Sequence, residues 1–364
     1  MRAALLEASN TPLVVVDDIE IADPGVGEVL VKVSNCGLCH SDYSNVSGTF
    51  PLMGPMVLGH EAAGVVAEIG LGVTDLVVGD RVVLSPIAAC GSCYGCVRGE
   101  FGTCVNASSI STGTFANGKT GLSRNGSPIL RGLAVGALAE YALVEASGAI
   151  KVDDDVPLDV ACVIGCSVQT GVGAVLNAAK VEPGSTVLVM GLGGVGISIV
   201  QGARIAGASR IIVSDPNSAR RDVAAKFGAT HAVDPTTQDV MSRVMAVTGV
   251  GVDYAFDAVG SSTLVELGMW ATRPGGTTVM VGAAPIDQVA SVPVTLFMVT
   301  ERKLIGTLLG GCNSRREVPR MLDLWRHGRL DLESMITARR PLSEINEGFD
   351  DLRDGVGLRT VMTI

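Results

Sequence analysis

The apolar run Thr186–Met190 leads into Gly191-Leu-Gly193-Gly-Val-Gly196, and a helical pattern continues from there to Ala206. Strand, glycine turn and helix in that order constrain this chain more than any other feature, because they commit its middle third to a strand–helix–strand unit. A second apolar run, Arg210–Ser214, ends at Asp215, 19 residues past Gly196. A helix N-terminus presents unpaired N–H groups to a pyrophosphate, and glycines let the phosphates approach. The carboxylate of Asp215 would accept from both hydroxyls of an adenosine ribose and repel a 2′-phosphate, so NAD is expected rather than NADP. Arg220 and Arg221 are the counterweight, since arginines there can receive that phosphate. Helical patterns at Ala219–Phe227 and Asp239–Val247 alternate with strand patterns at Ala232–Val233, Val252–Phe256 and Thr277–Val281. The alternation predicts an α/β unit with a doubly wound parallel sheet.

The first third reads differently. Leu13–Val16, Glu28–Val33, Ala63–Ile69 and Arg81–Leu84 are short β-branched runs separated by Pro24-Gly25, Gly70, Gly72 and Gly79-Asp80, which predicts a barrel-like or partly open β domain. Ser108–Arg131 is polar and Gly/Ser-rich and reads as a surface loop. Helical patterns return at Arg316–Arg326 and Leu342–Leu352, and the chain ends in a strand-like Arg359–Ile364.

Six of the nine cysteines fall between Cys36 and Cys104. Cys90, Cys93, Cys96 and Cys104 form C-x2-C-x2-C-x7-C, a spacing that folds four thiolates around one tetrahedral zinc with no open position, hence a structural site. Gly91, Gly95 and Gly99 are expected to let the backbone turn sharply between ligands. An iron–sulfur cluster is the chemical rival, although its bacterial spacing ends in x3-C-P, and here the last gap is seven with Val105 following. A second set is scattered: Cys39-His40-Ser41-Asp42, Gly59-His60-Glu61 and Gly165-Cys166. Two thiolates and an imidazole leave a fourth tetrahedral position for water or substrate. Spacing alone does not bring these three segments together, and Cys36 and Cys162 read as inert buried thiols.

The net charge of −10 argues against nucleic acid or anionic lipid as the main partner. Charged residues are only 18%, yet no run of 18 apolar residues occurs, and Glu7 and Asn10 interrupt the N-terminal apolar stretch. A soluble, cytoplasmic protein of two domains is expected.

Together these constellations resemble the zinc-containing medium-chain dehydrogenase/reductase family, in particular its liver-type alcohol dehydrogenase branch. The resemblance runs over essentially the whole chain. Val57-Leu-Gly-His-Glu-Ala-Ala-Gly64 looks like the family's zinc signature, and Val163-Ile-Gly-Cys-Ser-Val-Gln-Thr-Gly-Val-Gly173 like its second catalytic-zinc motif. Glu344-Ile-Asn-Glu-Gly-Phe349 and Leu358-Arg-Thr-Val-Met362 are similar to the C-terminal pattern of that branch. The resemblance implies a GroES-like catalytic domain over 1–167, a Rossmann domain over 168–308, and a return to the catalytic domain over 309–364. It implies that Cys39, His60 and Cys166 hold a catalytic zinc, with Asp42 and Glu61 as carboxylates behind it and Asp42 orienting the imidazole of His60. Ser41 would hydrogen-bond the substrate alcohol and pass its proton towards solvent. Thr170 and Val195 would pack near the nicotinamide, and Val259, Val281 and Ala283 would line its side. Gly191, Gly193, Gly194 and Gly196 would border the pyrophosphate, with Arg359 in contact with it. Two zinc ions per chain, NAD and a small alcohol follow, and the implied reaction is reversible oxidation to aldehyde or ketone with hydride transfer to NAD.

The departures from the family pattern are informative. His40 stands where these enzymes commonly place an arginine against the pyrophosphate, so a weaker grip is expected, and one that falls as pH rises through the histidine pKa. The relay histidine three residues after Ser41 is Ser44 here, so proton release is expected to rely on water. Phe50 falls where the family lines its substrate cleft, and Pro86 where several members carry a large aromatic ring. Loss of that ring is expected to admit bulky, cyclic or aryl alcohols, primary or secondary. Thiol-adduct (formaldehyde-type) and polyol dehydrogenases on the same scaffold are the rivals, as is a non-catalytic zinc- or nucleotide-binding relative. Val105-Asn-Ala-Ser-Ser109 carries no positive charge where thiol-adduct enzymes use a basic residue. A homodimer is expected by resemblance, with the apolar run Val292–Val299 as edge strands pairing across a two-fold axis.

Overall fold

The computed structural model describes all 364 residues, in two compact units. One unit comprises Met1–Cys166, Asn313–Arg326 and Leu332–Ile364; the other comprises Ser167–Cys312 and His327–Asp331.

The first unit is β-rich. Its longest strand, Glu28–Gly37, pairs antiparallel with Glu61–Ile69, with Tyr141–Glu145 and with the C-terminal strand Arg359–Thr363. Arg81–Leu84 and Ala149–Lys151 extend this sheet on one side, and Ile336–Pro341 joins Arg359–Thr363 in parallel on the other. Val29, Val31 and Val33 pack into a core with Leu6, Leu58, Val82 and Phe349, while Lys32 between them is exposed. Leu30, on the face of Lys32, is buried too, against Phe115 and Leu143, so the strand is covered on both faces near its start and opens to solvent at Lys32. A second sheet has six strands in the order Val14–Val16, Ala3–Leu6, Met56–Val57, Ser127–Arg131, Leu122–Arg124 and Glu20–Ile21.

Two of those strands correct the reading of Ser108–Arg131 as a surface loop. Leu122–Arg124 and Ser127–Arg131 form an antiparallel hairpin across Asn125-Gly126, both at positive φ. Asn-Gly is the pair that a two-residue hairpin turn favours, because both central residues must adopt left-handed backbone. Surrounding Gly and Ser masked this signal. The hairpin delivers Arg131 into the interior, where its guanidinium donates to the carbonyls of Ala134 and Leu143 and stacks 3.5 Å from the centre of the Phe115 ring.

The second unit is built on a six-stranded parallel sheet in the order His231–Val233, Arg210–Ser214, Thr186–Met190, Val252–Asp257, Thr272–Met280 and Lys303–Gly306. Helices Gly194–Ala206, Ser218–Phe227, Val240–Thr248 and Ser262–Ala271 connect the strands. Leu188, Met190, Ile212, Val233 and Ala255 are fully buried in its core. The strand order reverses between Thr186–Met190 and Val252–Asp257, and ligands of such sheets bind outside the carboxyl ends of the strands at that switch point.

The apolar run Val292–Val299 is not a strand. Pro293 precedes a helix, Val294–Thr300, and the edge strand is Lys303–Gly306. Proline fixes φ near the helical value and gives up an N–H that a first turn leaves unpaired anyway, so it starts a helix where β-branched residues alone read as strand. No single helix in the protein is long and apolar enough to cross a membrane.

Candidate functional site

Three strands of the β-rich unit set a buried ion pair beside the scattered ligand candidates. Glu61 lies opposite Gly37 in the pairing of Glu61–Ile69 with Glu28–Gly37, and Val361 lies opposite Gly37 on the other side. A Cβ on Gly37 would meet the Glu61 carboxylate at 2.6 Å, so glycine there makes room for it. Arg359, at the start of the C-terminal strand, donates to Glu61, and both side chains are buried. Burial pushes the Arg359 guanidinium down from its usual value, opposed by the nearby Cys39 sulfur.

Cys39 caps the short helix His40–Val46 and is buried. Asp42, in the first turn of that helix, is fully buried. One of its carboxylate oxygens accepts from the Gly59 N–H at 2.9 Å, and the other stands 3.0 Å from Nδ1 of His60. Gly59 has φ +94 and lies so close to Leu138 and Cys36 that no side chain fits. With Nδ1 engaged by Asp42, Nε2 is the nitrogen of His60 left to act as a ligand. Cys166 follows the turn Cys162–Gly165, where Gly165 packs 2.5 Å, at its missing Cβ, from the Leu84 carbonyl oxygen.

One ligand atom each from Cys39, His60, Glu61 and Cys166 lies within 4.8 Å of all the others. Around a tetrahedral zinc with Zn–S of ~2.3 Å and Zn–N of ~2.0 Å, ligand atoms stand roughly 3.3–3.8 Å apart, so this set fits one ion. The electrostatics favour a thiolate at Cys39. A hydrogen bond with Cys166 holds the Cys39 thiol well below its usual range in spite of burial, and His60 adds to it. Burial works against a charge on His60, but Asp42 and Cys39 outweigh it and lift the imidazole to about 10. Cys36 and Cys162, by contrast, are pushed up by burial and belong to the core.

The four cysteines of the loop also converge, with Cys90, Cys93, Cys96 and Cys104 sulfurs within 4.8 Å of one another. Backbone N–H groups point at the sulfurs: Cys90 and Asn106 donate to Cys104 at 3.3 and 3.4 Å, and Cys93 to Cys90 at 3.4 Å. N–H donors from Ser92 and Cys93 draw the exposed Cys90 thiol down to about 6, whereas burial pushes Cys96 up to about 12. Gly91 and Gly99 adopt positive φ, as sharp turns require. Gly95 does not; it is glycine because a Cβ would collide with the Thr103 hydroxyl. That corrects the expectation of a sharp turn at Gly95.

In the second unit, Gly191 has φ +89, and a Cβ on it would strike Val259. A Cβ on Gly196 would be driven into the Gly191 carbonyl oxygen. Gly193 is different. It caps the helix Gly194–Ala206 with φ −70 and ψ −168, and nothing lies within 4 Å of its missing Cβ. Asp215 is buried; its carboxylate accepts from the Leu192 N–H at 2.7 Å and the Asn217 N–H at 2.8 Å. Arg221 donates to the carbonyls of Asp215 and Pro216 and pairs with Asp234 at 2.9 Å, which ties its guanidinium to the fold. Arg220 stands half-buried in the same first helical turn. Thr170 is buried on the helix Ser167–Gly173, and Gly171 lets that helix approach Val195 and Ser198 closely. Val281 donates to the carbonyl of Asp257, and Ala283 lies against Gly260. Asp257 itself was not singled out from sequence; an acid closing a strand immediately before Ala-Val-Gly was its only signal.

Known proteins bear on these sites. Residues 25–154 match the alcohol dehydrogenase GroES-like domain, and residues 194–326 match the zinc-binding dehydrogenase domain. An S-(hydroxymethyl)glutathione dehydrogenase of a Synechocystis strain is 37% identical over 99% of both chains. Among solved structures, an alcohol dehydrogenase zinc-binding domain protein from Burkholderia ambifaria is 34% identical with a TM-score of 0.95, covering 100% of this chain and 98% of its own. Benzyl alcohol dehydrogenase from Acinetobacter calcoaceticus is 31% identical with a TM-score of 0.94, covering 100% and 99%. The chain belongs to the zinc-containing medium-chain dehydrogenase family, with a GroES-like domain and a Rossmann-type domain.

Proposed function

We propose that this protein oxidises a bulky or aryl alcohol reversibly to its carbonyl compound, with NAD as hydride acceptor. The convergence of Cys39, His60 and Cys166 behind the Asp42 carboxylate carries this reading. A zinc ion held there would supply Lewis acidity that makes an alcohol acidic near neutral pH, and a nicotinamide would supply the hydride acceptor. The chain's own groups do the remaining work. Asp42 fixes the His60 tautomer and so aims Nε2 at the ligand cluster. Arg359 neutralises Glu61, which keeps a fourth donor in reserve beside the other three. Ser41, half-buried two positions after Cys39, accepts the substrate's proton and hands it to water. Ser44 cannot relay it in the usual way, because its hydroxyl donates to the His40 carbonyl at 3.0 Å. The four-cysteine loop holds a second, structural zinc, giving two per chain.

NAD rather than NADP is supported by the buried carboxylate of Asp215 and by Arg221, whose guanidinium is already committed to Asp215, Pro216 and Asp234. His40, exposed at the start of its helix, takes the place of an arginine toward the pyrophosphate. Pro86 is buried and Phe50 half-buried, and the missing ring at Pro86 favours large substrates. The relative acting on benzyl alcohol agrees with that choice.

A thiol-adduct substrate is the second reading, favoured by the 37% identical relative named for S-(hydroxymethyl)glutathione. The turn Val105–Ser108 offers it no cation. Rates with benzyl alcohol, cyclohexanol, ethanol and S-(hydroxymethyl)glutathione separate the readings. Benzyl alcohol or cyclohexanol should lead; dominance of the glutathione adduct would transfer the assignment, and a preference for ethanol would refute the wide pocket.

A homodimer is part of the proposal. Lys303–Gly306 is the outermost strand of its sheet, and Val294, Met298 and Val299 just before it are exposed apolar side chains. A second copy pairing along that edge would cover them. Light scattering that gives a monomer mass would overturn it.

A further inference from the structure

Asp257 closes the strand Val252–Asp257 at its carboxyl end, on the far side of the switch point from Asp215, and is 1% exposed. One carboxylate oxygen accepts from the N–H groups of Val259 at 3.0 Å and Gly260 at 3.2 Å. The other accepts from Gly260 at 3.2 Å and Ser261 at 3.1 Å. Its main-chain carbonyl accepts from Val281 at 3.0 Å and Gly282 at 2.9 Å. One residue therefore organises the N–H groups of two loops that follow neighbouring strands.

The packing of these loops is tight. Gly260 has φ +85, and its missing Cβ lies 2.5 Å from the backbone of Ala283. A Cβ on Gly282 would collide with the N–H of Gly260. On the opposite side, Val259 presses on Gly191 of the glycine turn, and the Ala258 N–H donates to the Met190 carbonyl at 3.0 Å. The carboxylate thus sets where Val259 stands against the turn that would carry a pyrophosphate. No cation pairs with it; only N–H donors face it. Burial pushes its carboxyl up, and the donors from Val259, Ser261 and Gly260 oppose that.

In a doubly wound sheet the two halves of a dinucleotide lie on the two sides of the switch point. Asp215 stands on the adenosine side, so Asp257 and its loops border the other mononucleotide. We propose that Asp257 is a positioning residue for the nicotinamide half of the cofactor, acting through the loops Ala258–Ser261 and Val281–Gly282 without touching the reacting atoms. The proposal rests on the dinucleotide reading of the glycine turn.

The test compares NADH with ADP-ribose, which shares the adenosine half and lacks the nicotinamide. In Asp257→Asn an amide NH2 replaces one oxygen and faces N–H donors, while volume is kept. Dissociation constants for both probes are measured on zinc-loaded wild type and variant. The ratio of the NADH to the ADP-ribose constant should rise at least tenfold in the variant, with zinc content unchanged. A folded variant with an unchanged ratio overturns the proposal, as does one in which both constants rise equally. A wild type that binds neither probe overturns the cofactor reading as well, which distinguishes the two failures. Should Asp257→Asn fail to fold, Asp257→Ser, which keeps one oxygen acceptor, carries the same measurement. If neither folds, the residue serves the fold alone and the proposal fails.

Discussion

Gly193 is a glycine of the turn whose identity the protein itself does not explain. Its φ of −70 is open to any residue, and no protein atom lies within 4 Å of the position a Cβ would take. Gly193→Ala therefore tests what fills that space. The effect on folding is small. Alanine is a poorer helix cap than glycine by about 1 kcal/mol, and the less flexible unfolded chain returns about 0.4–1 kcal/mol. Net stability should stay within about 1 kcal/mol, a shift of a few degrees in Tm for a chain of this size. Binding is another matter. The N–H groups that open the helix Gly194–Ala206 are the phosphate ligands of this reading, and a methyl at 193 pushes a phosphate off them. Losing one such charge-assisted bond costs about 1.5–3 kcal/mol, which is roughly 10- to 150-fold in Kd. Gly196→Ala is the control, since its Cβ would be driven into the Gly191 carbonyl oxygen and should unfold the turn. NADH fluorescence titrations and thermal melts of the three proteins decide it. A Gly193→Ala protein that binds NADH as tightly as wild type would refute the placement of the pyrophosphate.

Other consequences are open to measurement. Asp42→Ala removes both the Gly59 N–H acceptor and the support of His60, so zinc affinity at that site should fall 10- to 100-fold in chelator competition, with the loop zinc retained. Cys104→Ser should leave one zinc per chain instead of two and lower the Tm, because the loop then lacks its fourth ligand. Asp253 accepts from the N–H and hydroxyl of Thr186 and from Arg273; burial opposes its charge, but these donors hold the carboxyl below its usual value. A depressed carboxyl contributes stability that is present above its unfolded pKa of ~3.9 and is lost as pH falls through the folded value. The urea midpoint should therefore fall less between pH 5 and 3 in Asp253→Asn than in wild type.

Much of this was legible because local chemistry forced it. Thr186–Met190 and Arg210–Ser214 are strands with the bounds their apolar runs suggest, and the helix after the glycine turn ends at Ala206 as its periodicity predicts. The cysteine loop was legible from spacing, since its ligands lie within 15 residues of chain. The second ligand set was not: Cys39, His60 and Cys166 converge only through the register of Glu28–Gly37 with Glu61–Ile69 and the turn before Cys166, and resemblance alone pointed there. The pairing of Glu61 with Arg359 spans 298 residues and is likewise a product of strand order. Val292–Val299 misled because β-branched composition outweighed one proline, and the Leu122–Arg131 hairpin hid among turn residues. Asp257 escaped notice because its partners are backbone N–H groups, which no sequence pattern displays.

The central claim is that the cluster of Cys39, His60 and Cys166 drives NAD-linked alcohol oxidation. The direct measurement is the rate at which benzyl alcohol reduces NAD to NADH, or NADP to NADPH, with zinc-loaded wild type and with Cys166→Ala. The account predicts turnover by wild type with NAD, at least tenfold less with NADP, and none by Cys166→Ala, although that variant still binds NADH. Equal rates from wild type and Cys166→Ala, or reduction of NADP in preference to NAD, would contradict it.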